Sequence, residues 1–346
     1  MPLAEGKKGG LKISMGWKDL LYLGLALVLI IMLVINANVR RTLDTISGID
    51  IGLLLLILGL YFLNTAMKAL RWNAIIRGMT RKRTGWITLP IFLASLALNN
   101  STPGKIGGEP VRAYLLREHT DTRISVGAAS IFSEKSLDIL TILTFAILGA
   151  VYLIWKIGFD DTIGMIAGII IVGILVILAI VLISNRRLMS ASIRILGGFT
   201  DRFLRGRALK FSSKLVGKLD ESAKKFHDSI SRMTRDRMSF AGIIIMTIAI
   251  WFNEAVRLYL VILALPVDAN VAFPGAVAGI AIANILGFIL PIGAGNLLGS
   301  SSVLYLLTDD EGISTSASIA MVATSLWLSI PLGLISLFYL RRRSRN

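Results

Sequence analysis

The stretch Asn99 to Arg112, NNSTPGKIGGEPVR, gathers polar and turn-forming residues inside a chain that is otherwise mostly apolar. Pro103 and Pro110 interrupt helices, while Gly104, Gly107 and Gly108 permit tight backbone paths. Backbone N–H groups exposed at the start of a following helix make an anion site. Lys105 and Arg112 add positive charge, and a guanidinium can hold a phosphate through two parallel hydrogen bonds. The chemistry suits a phosphate-bearing headgroup, with Asn99, Asn100, Thr102 and Glu109 as further candidate contacts. The plain alternative is a water-facing loop whose Lys and Arg only fix topology. The order G-x-x-x-x-G-K-[ST] of a nucleotide-binding loop is absent.

Two more polar groups lie on apolar helical patterns. In FSEKSLDIL, Glu134 and Asp138 are four residues apart and share a helical face, with Lys135 beside Glu134. Ionisable groups at membrane depth are costly and usually face a bundle interior or a cavity. The alternative to a functional role is an ion pair stitching this helix to its neighbour, for instance Glu134 to Arg112. In WFNEAVRLY, Asn253, Glu254 and Arg257 sit in the middle of an apolar run. Glu254 and Arg257 are three residues apart and can pair; unpaired, Arg257 would be a second headgroup ligand and Glu254 a proton carrier. The uncharged stretch Asn284 to Ser302, with Asn296 within it, is rich in Gly, Asn and Ser, and reads either as site lining or as close helix packing by small residues.

Other chemistry has little to work with. There is no cysteine, and the two histidines, His119 and His227, are far apart, so no His/Cys metal spacing exists. No residue is nominated as catalytic, and no metal or cofactor is expected.

The elements that must position these groups are membrane helices. The chain has 346 residues, 55% of them hydrophobic, with a mean hydropathy of +0.74. A soluble protein of this size cannot hide that much apolar surface. Six runs approach the ~20 residues a transmembrane helix needs: Leu20 to Ile35, Ile51 to Thr65, Ile139 to Trp155, Ile163 to Ser184, Phe240 to Leu265 and Thr315 to Leu340. The first follows four lysines, has no small-residue cleavage site, and is expected to be a retained anchor.

The net charge of +16 is first a topology signal. Basic stretches at the amino terminus, in Arg71, Arg77, Arg81, Lys82 and Arg83, in residues 185–238 with their 14 Lys or Arg, and at the RRRSRN end mark the cytoplasmic side, so both termini are expected there. Spaced apolar residues in the 185–238 loop suggest amphipathic helix on the inner leaflet; its place between spans argues against nucleic acid as a partner. Two apolar stretches, about 86–118 and about 273–308, begin and end on one face, which requires re-entrant hairpins. The expected fold is therefore one all-α polytopic membrane domain with about six full spans and two oppositely inserted re-entrant hairpins. Its halves, 16–155 and 162–341, would form an inverted repeat with a site at the midplane.

NNSTPGKIGGEPVRAYLL, followed by SEKSLDIL, a central W…EA span and a Pro/Gly-rich late segment, resembles the lysylphosphatidylglycerol synthase transmembrane region family, also called flippase-like domain proteins. The resemblance covers nearly the whole chain, and E-K-x-x-D is similar to that family's E-R-x-x-D. It implies a membrane domain that moves a modified lipid across the bilayer; some related stand-alone proteins are linked to glycosylation with lipid-carried sugars. Two departures stand out. No synthase domain is seen, so lipid aminoacylation is not carried over. The late segment reads PIGAGNLLGSSS, with no acidic residue before Asp309, where many members have P-G-G-x-G and then a glutamate. The expected partner is an anionic membrane lipid or a polyprenyl-phosphate-linked substrate in the cell membrane. A membrane-embedded glycosyl- or phosphotransferase, or a non-catalytic companion of a separate lipid-modifying enzyme, is the alternative.

Overall fold

The computed structural model describes residues 47–82, 84–100, 102, 107–160, 162–185, 188, 224–266, 270–290 and 293–343. Among these the structure is helical, with no strand. The helices are α1 (Ile51–Thr80), α2 (Thr88–Asn100, entered through a 3-10 turn at Gly85–Ile87), α3 (Gly108–Thr120), α4 (Ile124–Ile157), α5 (Ile163–Ser184), α6 (Arg237–Ala264), α7 (Phe273–Ile289), α8 (Ala294–Thr308), α9 (Glu311–Val322) and α10 (Leu328–Arg343). A π-helical turn, Ala323–Trp327, joins α9 to α10. Pro331 follows four residues beyond its end, inside α10, where its ring would meet the carbonyl of residue 327 in a regular helix, so the widened turn stands where a regular helix would be disturbed.

Four described helices are long and apolar enough to cross a bilayer: Ile51–Thr80, Ile124–Ile157, Arg237–Ala264 and the continuous Glu311–Arg343. With the apolar 22-residue α5, they make a multi-pass membrane protein. The expected first span, Leu20 to Ile35, lies outside the described residues. Two helices outrun their sequence reading. The run ending at Thr65 continues to Thr80, and the run starting at Ile139 begins at Ile124. Each extension mixes polar with apolar residues, which an unbroken apolar window does not detect. The extra turns carry Lys68 and Arg71 on α1, and Glu134 and Asp138 on α4.

The burial pattern is polar inside and apolar outside. Ile51, Leu55, Phe62, Ile147, Leu148, Val151, Ile245, Leu334, Ile335 and Phe338 are exposed, while Asn64, Arg71, Arg112, Glu134, Asp138 and Arg257 are buried. That arrangement suits a bilayer as solvent, because lipid tails are satisfied by leucine and an interior cation needs a protein partner.

Two pairs of short helices fold back on themselves. In α7–α8, a Cβ at Gly299 would stand 2.5 Å from Ala283 Cα, so the two backbones touch. The pair packs in turn on α4, where a Cβ at Gly149 would lie 2.6 Å from Ala278 Cα. In α2–α3, the Gly108 N–H donates to Asn99 Oδ1 at 2.7 Å. α2 and α3 have 13 residues each, about 20 Å of helix, short of the ~30 Å hydrocarbon core. Of the basic 185–238 segment, residues 224–235 are described and helical. Phe226 and Met233 from this helix join Ile75, Met79, Val126 and Ile243 in a core cluster, so its apolar face packs on the helix bundle.

α6 starts at Asp236, whose carboxylate accepts hydrogen bonds from the Ser239 N–H at 3.3 Å and hydroxyl at 2.8 Å. These bonds to Ser239 hold the exposed Asp236 carboxyl below its ordinary range. A depressed folded-state value stabilises the fold above the unfolded carboxylate range, and the benefit is lost as pH falls through the folded value. Asp236→Ala is therefore expected to lower the Tm slightly at neutral pH and to lose that effect on acidification. Melting both proteins in detergent across pH checks this, and an equal Tm gap at every pH would contradict it.

Candidate functional site

One face of α1 brings Tyr61, Asn64, Thr65, Lys68, Arg71 and Trp72 inward at helical spacing, with Tyr61, Asn64, Thr65, Arg71 and Trp72 buried. α4 presents Glu134 and Asp138, and α6 presents Thr247, Trp251 and Arg257. Where these faces meet, the charges pair across helices.

The first cluster is centred on Arg71, which is wholly buried. Its Nη1 donates to Asp138 Oδ1 at 2.6 Å and to Thr247 Oγ1 at 3.0 Å. Its Nη2 donates to Asp138 Oδ2 and Glu134 Oε1, both at 3.1 Å. This is the fork-to-fork geometry that only a guanidinium supplies. The Trp251 indole N–H donates to Asp138 at 2.9 Å. The other oxygen of Glu134 accepts from Arg112 Nη2 at 2.7 Å. Arg112 also reaches Glu109 at 3.3 Å, and Lys135 reaches Glu109 at 3.2 Å. The Arg112 guanidinium lies over the rings of Trp72 and Phe92, at 4.8 and 5.4 Å. Three cations thus meet three carboxylates, joining α1, α3, α4 and α6.

The second cluster lies farther along α6. Lys68 Nζ donates to Glu254 Oε1 at 2.8 Å, and Arg257 Nη1 donates to Glu254 Oε2 at 3.0 Å. Arg257 Nη2 also donates to the Thr324 carbonyl at 3.2 Å and to Ser325 Oγ at 2.8 Å, anchoring α6 to the π-helical turn. Its guanidinium stands over Tyr61 at 5.1 Å, and Lys68 stands over Trp251 at 5.9 Å.

Between the clusters is a cavity of about 190 Å³. Its wall includes Lys68, Arg112, Glu134, Lys135, Asp138 and Glu254. Asn99 and Asn100 reach it from α2, and Asn284, Asn296 and Ser300 from the α7–α8 pair. Both folded-back helix pairs therefore contribute to one polar space.

The sequence-read residues fall as follows. Asn99, Asn100, Arg112, Glu134, Lys135, Asp138, Glu254 and Asn296 line the cavity. Glu109 sits behind it, held by Arg112 and Lys135. Asn253 and Arg257 are buried and are not among the residues that line it. Lys105 lies outside the described residues. At the start of α3, the Gly108 N–H is taken by Asn99 and the Gly107 N–H by Thr102 Oγ1 at 3.0 Å, so two donors expected to face an anion are capped by side chains. The Asn99 amide also donates to Glu109 at 2.9 Å, and that of Asn100 to Ser329 Oγ at 2.7 Å. The pairings weighed for Glu134 with Arg112, and for Glu254 with Arg257, are both present. The sequence reading did not nominate Lys68, Arg71 or Trp251. The signal was there: the spacing 61, 64, 65, 68, 71, 72 continues a helical face past the end of the apolar window.

Residues 21–333 match the model of the family described as Lysylphosphatidylglycerol synthase TM region. A UPF0104 membrane protein of Methanothermobacter thermautotrophicus is 25% identical over 305 residues, 86% of this chain and 88% of that protein. A UPF0104 membrane protein of Pyrococcus horikoshii is 23% identical over 332 residues, covering 91% of this chain and 94% of that protein. The glycosyltransferase AglD of Haloferax volcanii is 23% identical over 235 residues, which are 61% of this chain and 35% of AglD. No solved structure matches the chain.

Proposed function

Because this chain belongs to the lysylphosphatidylglycerol synthase transmembrane region family, we propose that it moves an anionic phospholipid or a lipid-phosphate-linked sugar between the leaflets of the cell membrane. The observation that carries this reading is the polar cavity, closed by both helix pairs inside a wall of exposed aliphatic side chains. The headgroup would pass through the cavity while the tails stay in lipid. In this reading α2–α3 and α7–α8 are oppositely inserted re-entrant hairpins, the two halves form an inverted repeat, and both termini are cytoplasmic. Movement is downhill or ion-coupled.

Leaflet exchange in proteoliposomes tests this, with fluorescent phosphatidylglycerol and a short-chain polyprenyl phosphate as cargo. Asn284 lines the cavity from α7 and is half-buried. Asn284→Phe places a ring there and is expected to slow exchange about tenfold, equivalent to roughly 1.4 kcal/mol, with little change in Tm. Wild-type protein that moves neither lipid under any ion gradient would end the proposal.

The likeness to AglD favours a second reading, in which the cavity presents a lipid carrier for sugar transfer. Against it as a catalyst, Glu109, Glu134 and Asp138 are each held by a cation within 3.3 Å, and a carboxylate so clamped is a poor general base. Sugar transfer from a nucleotide-sugar to a polyprenyl phosphate by the purified protein would decide for it.

A further inference from the structure

A second recess lies on the other side of α1 and shares no lining residue with the polar cavity. It is a groove of about 340 Å³ between α1 and the turn that leads into α2. Ala66, Leu70, Asn73 and Arg77 line it at helical spacing, on the face of α1 turned away from Asn64 and Lys68. Trp86 and Leu89 line it from the α2 side. The turn is held in place. Gly85 redirects the chain at φ +69°, and the Asn73 amide donates to the Gly85 carbonyl at 2.9 Å and to Thr88 Oγ1 at 3.0 Å. Small side chains at Ala66 and Ala69 leave the space open beside it.

Length, polarity and charge together identify an occupant. From Ala66 to Arg77 the groove follows α1 for about 16 Å, close to half of the ~30 Å hydrocarbon core, which is the depth of one leaflet. It is apolar along Ala66, Ala69, Leu70 and Leu89, and its charge sits at one end. There Arg77 is exposed in the last turn of α1, beside Trp86, which is 83% exposed. A tryptophan so placed belongs at a membrane–water interface, where its ring meets lipid and its N–H meets polar groups. Neither the Arg77 guanidinium nor the Trp86 N–H has a partner among the described residues, and no carboxylate lines the groove.

We propose that this groove holds a resident anionic phospholipid, with one tail along Ala66 to Leu70 and the phosphate between Arg77 and the Trp86 N–H. A soluble anion would meet apolar surface along most of the groove. A zwitterionic lipid would bring its cation to Arg77 with no acid to receive it. The lipid would brace α1 against α2, the helices that carry Lys68, Arg71, Asn99 and Asn100, from outside the cargo path. This site stands whether or not the cavity moves lipid.

The test reads lipid contact at Trp86. The chain has six tryptophans, so the emission of Trp86→Phe is subtracted from that of the parent protein. Full-length protein is placed in vesicles that mix phosphatidylcholine with phosphatidylglycerol, with bromine on the tails of one lipid or the other. Bromine quenches tryptophan on contact, so the paired measurements give the relative occupancy of the two lipids beside Trp86. Phosphatidylglycerol is expected to be favoured about fivefold, the effect of one cation near a membrane surface. Arg77→Gln should bring the ratio to one. Ala66→Phe keeps the guanidinium and puts a ring in the tail's place, and it should also remove most of the preference. An unchanged ratio there would make Arg77 a plain surface charge and end the groove site. Asn284→Phe, in the cavity, should leave the ratio as it is; a shift would mean that Trp86 reports the cargo and would overturn a separate site. A ratio of one in the wild type, a preference for phosphatidylcholine, or a Trp86 that neither brominated lipid quenches would each overturn the proposal, the last by showing that another part of the protein covers the groove.

Discussion

Arg71→Ala is expected to leave a protein that is made but does not hold together. Arg71 is wholly buried and is the sole cation within reach of Asp138 among the described ion pairs, while sharing Glu134 with Arg112. Alanine would strand a buried aspartate whose remaining hydrogen-bond donor among the described residues is the Trp251 N–H. Removing one partner of a buried pair costs about 3–5 kcal/mol. At roughly 2–4 °C per kcal/mol, the Tm in detergent should fall on the order of 10 °C. Arg71→Lys should recover only part of this, since an ammonium cannot fork across both Asp138 oxygens. Neutralising the acids as well, in Arg71→Met with Glu134→Gln and Asp138→Asn, should restore more of the Tm than the lysine does, although Arg112 then loses a carboxylate. A Tm unchanged in Arg71→Ala would show that the cluster contributes little to the fold.

Gly108→Ala is the second large effect. Gly108 is buried at the first turn of α3, and a Cβ there would overlap the Ser95 carbonyl of α2 and stand 2.7 Å from Asn99 Oδ1. The obstacle is backbone, which cannot rotate away as a side-chain tip can. Accommodating the methyl means parting α2 from α3, which breaks the Gly108–Asn99 bond and shifts Arg112, one turn later, from its seat on Trp72. Overpacking of this kind costs about 1–3 kcal/mol or more. The change in geometry at the cavity should reduce lipid exchange more than the lost stability alone. Gly168→Ala is the control, because a Cβ on that α5 residue meets nothing within 4 Å. Equal exchange rates in the two variants would refute the tight-junction argument.

Much of this was legible in the sequence. The i,i+4 spacing of Glu134 and Asp138 and the i,i+3 spacing of Glu254 and Arg257 announce inward charge on apolar helices, and the structure pairs both sets. The Asn99–Arg112 stretch announces a break between short helices. Arg71 and Lys68 were harder to read. Following an apolar run, they look like the basic flank that fixes topology, and the one local sign against that is the helical face 61, 64, 65, 68, 71, 72 that they continue. The distinction is made by partners 63 and 186 residues away. Asn99 and Thr102 were read as facing a ligand, yet they cap α3, because a helix start satisfies its own N–H groups with any side chain that the turn brings near.

The long-range pairing also sets a problem for the ribosome and the insertion machinery. α1 enters the bilayer carrying Lys68 and Arg71, and a cation at mid-helix opposes insertion by about 2.5–3.5 kcal/mol. Glu134 is synthesised 63 residues after Arg71, a delay of several seconds at ~5–20 residues per second. Glu254, the carboxylate of Lys68, comes 186 residues later. Through that interval α1 is an unsatisfied helix. If α1 takes its final seat only once α4 and then α6 have arrived, the protein assembles in the order in which its countercharges are translated.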